Sequence, residues 1–140
     1  MTDFPEHRTV TNDNVEDIFE YMFAPWVKAM DLRDFDVRSG TASALLPQNP
    51  DLQWANGAIC GQAIMAAIDT VVALAMSSTN RQSKGTASLG TQFLRPAIGE
   101  DLRITARVLQ FGSAIGYAEA SVTFALSGKL VAHSTSEFAF

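Results

Sequence analysis

The sequence predicts an α+β fold in which an antiparallel sheet curls around one long central helix, with an additional helix near the N-terminus. Two observations lead to this prediction. From residue 86 onward, four stretches with strand character are joined by short connections, which is typical of an antiparallel sheet. Before them, residues 59–78 are apolar on nearly every side, as expected of a helix that is buried between other elements.

The composition describes a globular protein, and we expect one domain over residues 1–140. Apolar residues make up 47% of the chain and charged residues 18%, a balance that supports a packed core. The net charge of -5 argues against general nucleic-acid binding, which depends on many Lys and Arg side chains at phosphates. Cys60 is the only cysteine and can form no intrachain disulfide, which fits a cytoplasmic protein.

No segment of the sequence predicts a membrane partner. The first ten residues, MTDFPEHRTV, lack the apolar centre of a secretory signal. The apolar run at residues 63–76 is shorter than a bilayer span and is interrupted by Asp69. We therefore interpret this run as part of a core helix.

The N-terminal helix is predicted over about residues 12–30. Asp13 and Glu16 have the spacing of a capping box at its start. Pro25 should kink or end the helix, because proline lacks a backbone N–H and clashes with the preceding turn. Apolar residues recur with the spacing of one helix face at Val15, Ile18, Phe19, Met22, Phe23 and Trp26.

The main body of the fold is expected over about residues 35–140. One strand is predicted at residues 35–46, closed by the turn-rich sequence PQNPD, and the central helix follows at residues 59–78. A single sheet covers only one side of a helix, so either the sheet curls around this one or a second subunit covers the rest. The four later strands are predicted at residues 86–94, 102–111, 117–126 and 130–140.

Asp69 is the one carboxylate of the central helix. Its neighbours are mostly Ala, Ile, Met and Val, and burying an unpaired carboxylate among them is costly. Either Asp69 finds a hydrogen-bond partner on folding, or it is kept for chemistry, since burial suits a carboxylate to proton transfer.

The order of elements, with the segments NGAICGQAIMAAIDTVVALA and TASLGTQFLRPAIGEDLRITARVL, resembles the hotdog-fold acyl-CoA thioesterases of the PaaI-like type, in the 4-hydroxybenzoyl-CoA thioesterase superfamily. In that family a G-x-x-H-G-G turn leads into the central helix, and an acid follows eight residues after the first glycine of the pair. Here Gly57, Cys60, Gly61 and Gln62 occupy the turn positions, and Asp69 lies eight residues after Gly61. Cys60 therefore replaces the usual His, and Gln62 replaces the second Gly.

The resemblance, which also includes the FLRPA segment at residues 93–97, implies an enzyme that hydrolyses an acyl-CoA thioester to the free acid and CoA. We expect no metal, because the two separated histidines and the single cysteine have no metal-ligand spacing, and no cofactor besides the coenzyme A of the substrate. The Gly61 N–H, at the first turn of the helix, would stabilise the oxyanion on the thioester carbonyl. Asp69 would be either the base for water or the nucleophile, and the sequence leaves both roles open.

The separation of Gly61 and Asp69 predicts a site that two chains share. Eight residues along a helix span about 12 Å, whereas each catalytic contact needs about 3 Å. One carbonyl therefore cannot touch both residues of the same chain. Two antiparallel copies of the helix would bring Asp69 of each beside Gly61 of the other, which predicts a two-fold homodimer. Hotdog thioesterases do place their sites at dimer interfaces, and dimers of dimers are common among them.

The turn before the helix is predicted to bind substrate through Asn56, Gly57, Cys60 and Gln62. Asn56 either bonds the substrate carbonyl or, with Gly57, forms an ordinary turn. Cys60 is either a small buried residue or a thiolate nucleophile, which would need a histidine base. The two histidines of the sequence are His7 and His133.

Three basic residues, Arg81, Lys84 and Arg95, are best placed to meet the phosphates of coenzyme A. Three aromatic residues either line the acyl pocket or fill the core, and these are Phe93, Tyr117 and Phe124. Two other functions stay open: a non-catalytic module that binds acyl-CoA or fatty-acyl groups, and a hotdog dehydratase, which would pair an acid with a histidine.

Overall fold

The computed structural model describes residues 8–81 and 83–140 and contains one six-stranded antiparallel sheet. Ahead of the long central helix lie helix α1 (Val15–Met22), helix α2 (Pro25–Lys28), strand β1 (Arg33–Arg38), strand β2 (Thr41–Leu46) and a 3₁₀ turn (Pro50–Leu52). The central helix is α3 (Gly61–Ser77), and it is followed by β3 (Gly85–Phe93), β4 (Leu102–Phe111), β5 (Ile115–Phe124) and β6 (Leu130–Ala139).

The sheet has the strand order β1-β2-β4-β5-β6-β3, and all six strands contact α3. The predicted α+β hotdog fold, a curled sheet around a long helix, is therefore confirmed. The last four strands begin and end within two residues of their predicted positions. In β4, β5 and β6 the alternating sequences match one more buried and one wetter face, whereas β3 is exposed at most positions. On β4, for example, Leu102, Ile104 and Ala106 are buried while Thr105 and Arg107 are exposed.

The first predicted strand is divided, and the prediction of one strand over residues 35–46 was wrong. β1 and β2 form an antiparallel pair joined by the turn at Ser39 and Gly40. The turn requires a φ of 80° at Gly40, a conformation that glycine adopts without steric cost. Apolar residues alternate at Phe35 and Val37 and again at Ala42, Ala44 and Leu46, so the alternation changes phase at this turn, and the single-strand prediction did not take account of that change.

The N-terminal helix is also divided, as Pro25 predicts. Phe23 is extended at the end of α1, and Pro25 is the first residue of α2, where its missing N–H costs nothing. The capping-box prediction was wrong, since Asn14 rather than Asp13 precedes α1 and makes no side-chain cap hydrogen bond to it. The Asn14 side chain accepts a hydrogen bond from the Thr11 N–H instead.

The central helix α3 is surrounded by its own sheet except along one stripe. Its buried residues point to several sides, and Ile68, Val71 and Ala75 are fully buried. The stripe consists of residues spaced three or four apart, which share one helix face. It comprises Gln62, which is exposed, and the half-buried Met65, Ala66, Asp69, Ala73 and Ser77.

Strand β3 lies at one edge of the sheet and pairs with β6 alone. Of its nine residues only Leu89 and Thr91 are even partly buried, so both of its faces are largely exposed. An unpaired edge strand of this length is a site where another strand can add.

Candidate active site

The turn that leads into α3 is built by its own backbone hydrogen bonds. The Trp54 N–H donates to the Ala58 carbonyl at 2.8 Å, and the Asn56 side-chain oxygen accepts from the Ala58 N–H at 3.0 Å. Gly57 completes the turn with a φ of 88°. Asn56 and Gly57 thus have a structural role in the turn, and the Asn56 oxygen is already engaged.

Cys60 ends the turn and precedes α3 as its N-cap, with an extended backbone. Its N–H donates to the Leu52 carbonyl at 2.7 Å, and its thiol is half-buried and free of a disulfide. The histidine base that a Cys60 thiolate would need is not at hand among the described residues. His133 lies on the outer face of the sheet, away from α3, where its Nε2 is 3.4 Å from Glu119 Oε2. His7 lies outside the described residues.

Gly61 is the first residue of α3, so its N–H belongs to the four that have no partner within the helix. The positive end of the helix dipole lies at the same place. The Phe93 ring lies directly against this glycine, because a Cβ added to Gly61 would be 3.2 Å from Phe93 Cζ. A larger residue at position 61 would thus collide with the ring unless the ring moved.

An open groove of about 420 Å³ lies beside Gly61. One wall is formed by the turn before α3, and the other by residues 93–97, which include the FLRPA segment. The two walls are joined by a hydrogen bond from the Ile59 N–H to the Ala97 carbonyl at 3.1 Å. Most of the lining is apolar, and Trp54 and Phe93 remain about half-exposed in it.

Asp69 is half-buried on the uncovered stripe of α3, and it has a partner within its own chain. The Thr86 hydroxyl donates a hydrogen bond to Asp69 Oδ1 at 2.5 Å. Thr86 lies at the start of the edge strand β3, so the sheet positions the carboxylate at the margin of the helix. Sequence analysis missed Thr86, since only the packing of β3 against α3 brings residues 69 and 86 together.

The three predicted cations lie in different surroundings. Arg95 is exposed in the wall of the groove, and Lys84 is exposed just before β3. Arg81 is engaged: its guanidinium donates to the Gly112 and Ser113 carbonyls and lies over the Phe111 and Phe140 rings, 5.0 and 4.4 Å from their centroids.

The other predicted residues also have defined positions. Gln62 is exposed on the uncovered stripe. Phe124 is buried in the core, and Tyr117 is exposed on the outer sheet face, so of the three candidate aromatic residues only Phe93 lies in the groove. Glu119, beside His133, has its pKa lowered chiefly by the hydrogen bond from Arg107.

Metal ligands and membrane spans were sought within residues 8–81 and 83–140. No three His, Cys, Asp or Glu side chains in this part of the chain are grouped as a metal site would require. None of its helices has the length and apolarity needed to cross a bilayer.

The sequence model of the thioesterase superfamily matches residues 56–124, from the turn before α3 to the end of β5. The matched segment holds Gly61, Asp69 and all of the groove lining except Trp54. The chain belongs to the thioesterase superfamily. Membership supports thioester hydrolysis as the general chemistry of this hotdog protein. No curated protein matches the chain in sequence.

Several solved structures resemble this one over most of its length. Thioesterase superfamily member 2 of zebra fish is 23% identical, with a TM-score of 0.85 over 94% of this chain and 99% of that one. A conserved protein from Pseudomonas aeruginosa is 29% identical, with a TM-score of 0.77 over 86% of this chain and 96% of that one. The PaaI protein from the phenylacetic acid degradation operon of E. coli is 21% identical, with a TM-score of 0.78 over 91% and 95%.

Proposed function

We propose that two copies of this thioesterase-superfamily chain hydrolyse an acyl-CoA thioester to the free acid and CoA. The observation that carries the proposal is the Asp69 carboxylate, held by the Thr86 hydroxyl on the stripe of α3 that the sheet leaves uncovered. A carboxylate fixed at the open margin of a core helix is placed to act on something outside its own chain.

In this reaction the Gly61 N–H donates to the thioester carbonyl as negative charge grows on its oxygen. The helix dipole favours that charge, and the missing side chain lets the carbonyl approach the backbone. Asp69 then either removes a proton from the attacking water or attacks the carbonyl carbon itself. In both cases the C–S bond breaks and CoA leaves as its thiolate; the first route gives the free acid directly, and the second gives an anhydride that water later opens. Thr86 acts as a positioning residue in both cases.

The two groups must come from different chains. They lie eight residues apart on one uninterrupted helix, which is about 12 Å of helix rise, too far for one carbonyl to touch both. Two features of the chain support a partner of the same kind. The uncovered stripe has small side chains at Ala66 and Ala73, which allow a second helix to approach, and β3 offers an unpaired edge. A homodimer with two equivalent sites follows, and pairing of dimers is compatible with it.

The CoA phosphates would be met by Arg95 and Lys84, the two predicted cations that are exposed. Arg81 is already bonded to Gly112 and Ser113, so we assign it to the structure of that loop rather than to the phosphates. We place the reaction in the cytoplasm, which the single cysteine of the sequence supports.

The test of this function is thiol release from a panel of straight-chain acyl-CoAs. Asp69→Asn keeps the size of the side chain and removes its basicity, so we expect kcat to fall by about 10²–10⁴-fold. Asp17→Asn, which alters an exposed acid of α1, is the matched control and should retain wild-type rates. Hydrolysis that survives Asp69→Asn unchanged would refute the assignment of Asp69.

One observation favours a second function, a module that binds acyl-CoA without cleaving it. Cys60 occupies the turn position at which the resembling family has a histidine, and His133 faces away from α3. Saturable binding of acyl-CoA with no thiol release from any member of the panel would identify such a module. A dehydratase has less support, because the described part of the chain brings no histidine to Asp69.

A further inference from the structure

Phe93 combines three properties that set it apart from the other aromatic residues within residues 8–81 and 83–140. It ends β3 opposite the buried Ala132, so its side chain points to the helix side of the sheet. Its ring lies against Gly61 at the start of α3. It nevertheless remains 50% exposed, because its other side borders the groove. A large aromatic ring that is half exposed thus lies next to the Gly61 N–H, the proposed oxyanion donor.

The contact between the ring and Gly61 leaves room for an added carbon only if the ring shifts by a few tenths of an ångström. A methyl group built on Gly61 would lie 3.2 Å from Cζ and 3.4 Å from Cε1 of Phe93, closer than carbon atoms pack at their optimum. A substituent that entered the same space from a bound ligand would meet the same ring. The space between the ring and the first turn of α3 therefore admits a narrow group only.

The groove next to the ring suits hydrocarbon better than the pantetheine arm of CoA. Its lining includes Ile59, Ile64 and Pro96, whose side chains offer no hydrogen bonds. Its polar side chains are Asn56, whose oxygen is already bonded to the Ala58 N–H, and Arg95, which is exposed. Pantetheine carries two amide groups, and burying them without hydrogen-bond partners costs free energy. A hydrocarbon acyl chain has no such groups and carries no such cost. The apolar wall thus fits the acyl side of the thioester.

We propose that Phe93 is the specificity-determining residue for the acyl group. Its ring admits an unbranched apolar chain next to the thioester carbonyl and excludes acyl groups that carry a branch or a ring on the α-carbon, the first carbon after the carbonyl. The inference rests on the proposed function, because the Gly61 N–H must bind the carbonyl. With the carbonyl oxygen about 3 Å from that N–H, one substituent of the carbonyl carbon faces the Phe93 ring, and the apolar lining favours the α-carbon of the acyl group over the sulfur on that side.

The experiment compares pairs of acyl-CoAs with equal numbers of carbon atoms. In each pair one acyl group is straight and the other is branched at the α-carbon. The readout is the ratio of kcat/KM for the branched and the straight substrate. In Phe93→Ala we expect this ratio to rise by about tenfold or more, since misfit by one methyl group in an apolar pocket carries discrimination of that order. Phe93→Leu, which keeps part of the volume, should raise it less. The control Tyr117→Ala, an exposed aromatic residue on the outer sheet face, should leave the ratio unchanged.

Binding of non-hydrolysable thioether analogues of the same pairs separates this inference from the proposed function. If the ratio of Kd for the branched and the straight analogue shifts in Phe93→Ala, the inference is supported. This holds even if the wild-type protein releases no thiol, a result that would by itself overturn the hydrolase assignment. An unchanged ratio, with straight-chain turnover still dependent on Asp69, overturns the inference and leaves the hydrolase assignment intact. A uniform loss for all acyl groups, with weaker inhibition by free CoA, would assign the ring to the pantetheine arm and also overturn it.

Discussion

Thr86 Oγ1 donates a hydrogen bond of 2.5 Å to Asp69 Oδ1, and this contact joins the edge strand to the central helix. Thr86→Val removes the donor while it keeps the shape of the side chain. We expect kcat for acyl-CoA hydrolysis to fall by about 10–100-fold, in line with the loss of one hydrogen bond to a charged group, with KM little changed. Steady-state kinetics on a straight-chain acyl-CoA measures both constants.

The conservative variant distinguishes positioning from packing at this site. Thr86→Ser keeps the hydroxyl and loses the methyl group, so it should restore kcat to near the wild-type value. If serine and valine reduced kcat equally, the hydroxyl would have no part in orienting Asp69. Thermal unfolding of both variants verifies that the fold is retained.

The shared site predicts recovery of activity when two inactive variants are mixed. Gly61→Val blocks the approach to the helix N-terminus, and Asp69→Asn removes the carboxylate, so each homodimer should be inactive. A heterodimer of the two contains one intact pair, Gly61 of one chain with Asp69 of the other. Random exchange of equal amounts should restore about a quarter of wild-type activity, because half of the dimers carry one good site of two.

Subunit exchange is followed by mass spectrometry on differentially labelled chains, so that failed mixing cannot be mistaken for failed complementation. Heterodimers that form and stay inactive would show that both groups act within one chain or that one of them is not used. Mixing two different Gly61 variants is the control, since that combination leaves no site with an intact glycine.

Truncation of Arg81 should affect stability and truncation of Arg95 should affect KM, although both residues were predicted to meet phosphates. Arg81 bonds two carbonyls and stacks on two rings, so Arg81→Ala should lower the free energy of unfolding by about 1–3 kcal/mol. Arg81→Lys should restore little of it, because an ammonium cannot reproduce the planar stacking. Thermal or urea unfolding measures the change.

Arg95→Ala should leave stability nearly unchanged and raise KM by about two- to fivefold, an effect that weakens as salt screens the exposed charge. Kinetics at low and high ionic strength on CoA thioesters measures it. A KM that is unchanged at low salt would remove Arg95 from the phosphate site. Arg103→Ala, on strand β4, is the matched control.

The last four strands, the central helix and the Pro25 break could be predicted from the sequence because each depends on local patterning. Alternation predicts a half-buried strand, apolar residues on several sides predict a core helix, and a proline inside a helical pattern breaks the helix before it. The division at Gly40 was missed because the two short strands were read as one, although the apolar alternation moves from odd positions at Phe35 and Val37 to even positions from Ala42 onward. Gly61 and Asp69 could be selected from spacing and family resemblance.

The partners of these residues could not be predicted, since they come from distant parts of the chain. Thr86 reaches Asp69 only through the packing of β3 against α3, and Phe93 reaches Gly61 only where β3 ends beside the first turn of that helix. For Arg81 the sequence suggested the wrong partner. A basic residue in a loop is a reasonable candidate for a phosphate ligand, and only the tertiary structure shows that its guanidinium donates to two backbone carbonyls.

Gly61→Ala tests why this position is glycine. Two reasons are present: the Phe93 ring packs against the residue, and the substrate carbonyl must reach its N–H. The added Cβ would lie 3.2 Å from Phe93 Cζ, and the half-exposed ring can move aside, so we expect the fold to survive with little change in the melting temperature. The activity should nevertheless fall by about tenfold or more, because the methyl group and the displaced ring narrow the approach to the N–H.

A double-mutant cycle separates the two reasons. If ring displacement causes the loss, Gly61→Ala should cost much less kcat/KM in a Phe93→Ala background than in wild type, with a coupling energy of about 0.5–3 kcal/mol. If the methyl group itself blocks the carbonyl, the two effects are additive and the coupling is near zero. Equal activity of Gly61→Ala and wild type in both backgrounds would contradict the placement of the thioester carbonyl at this N–H, because a carbonyl about 3 Å away could not ignore the added carbon.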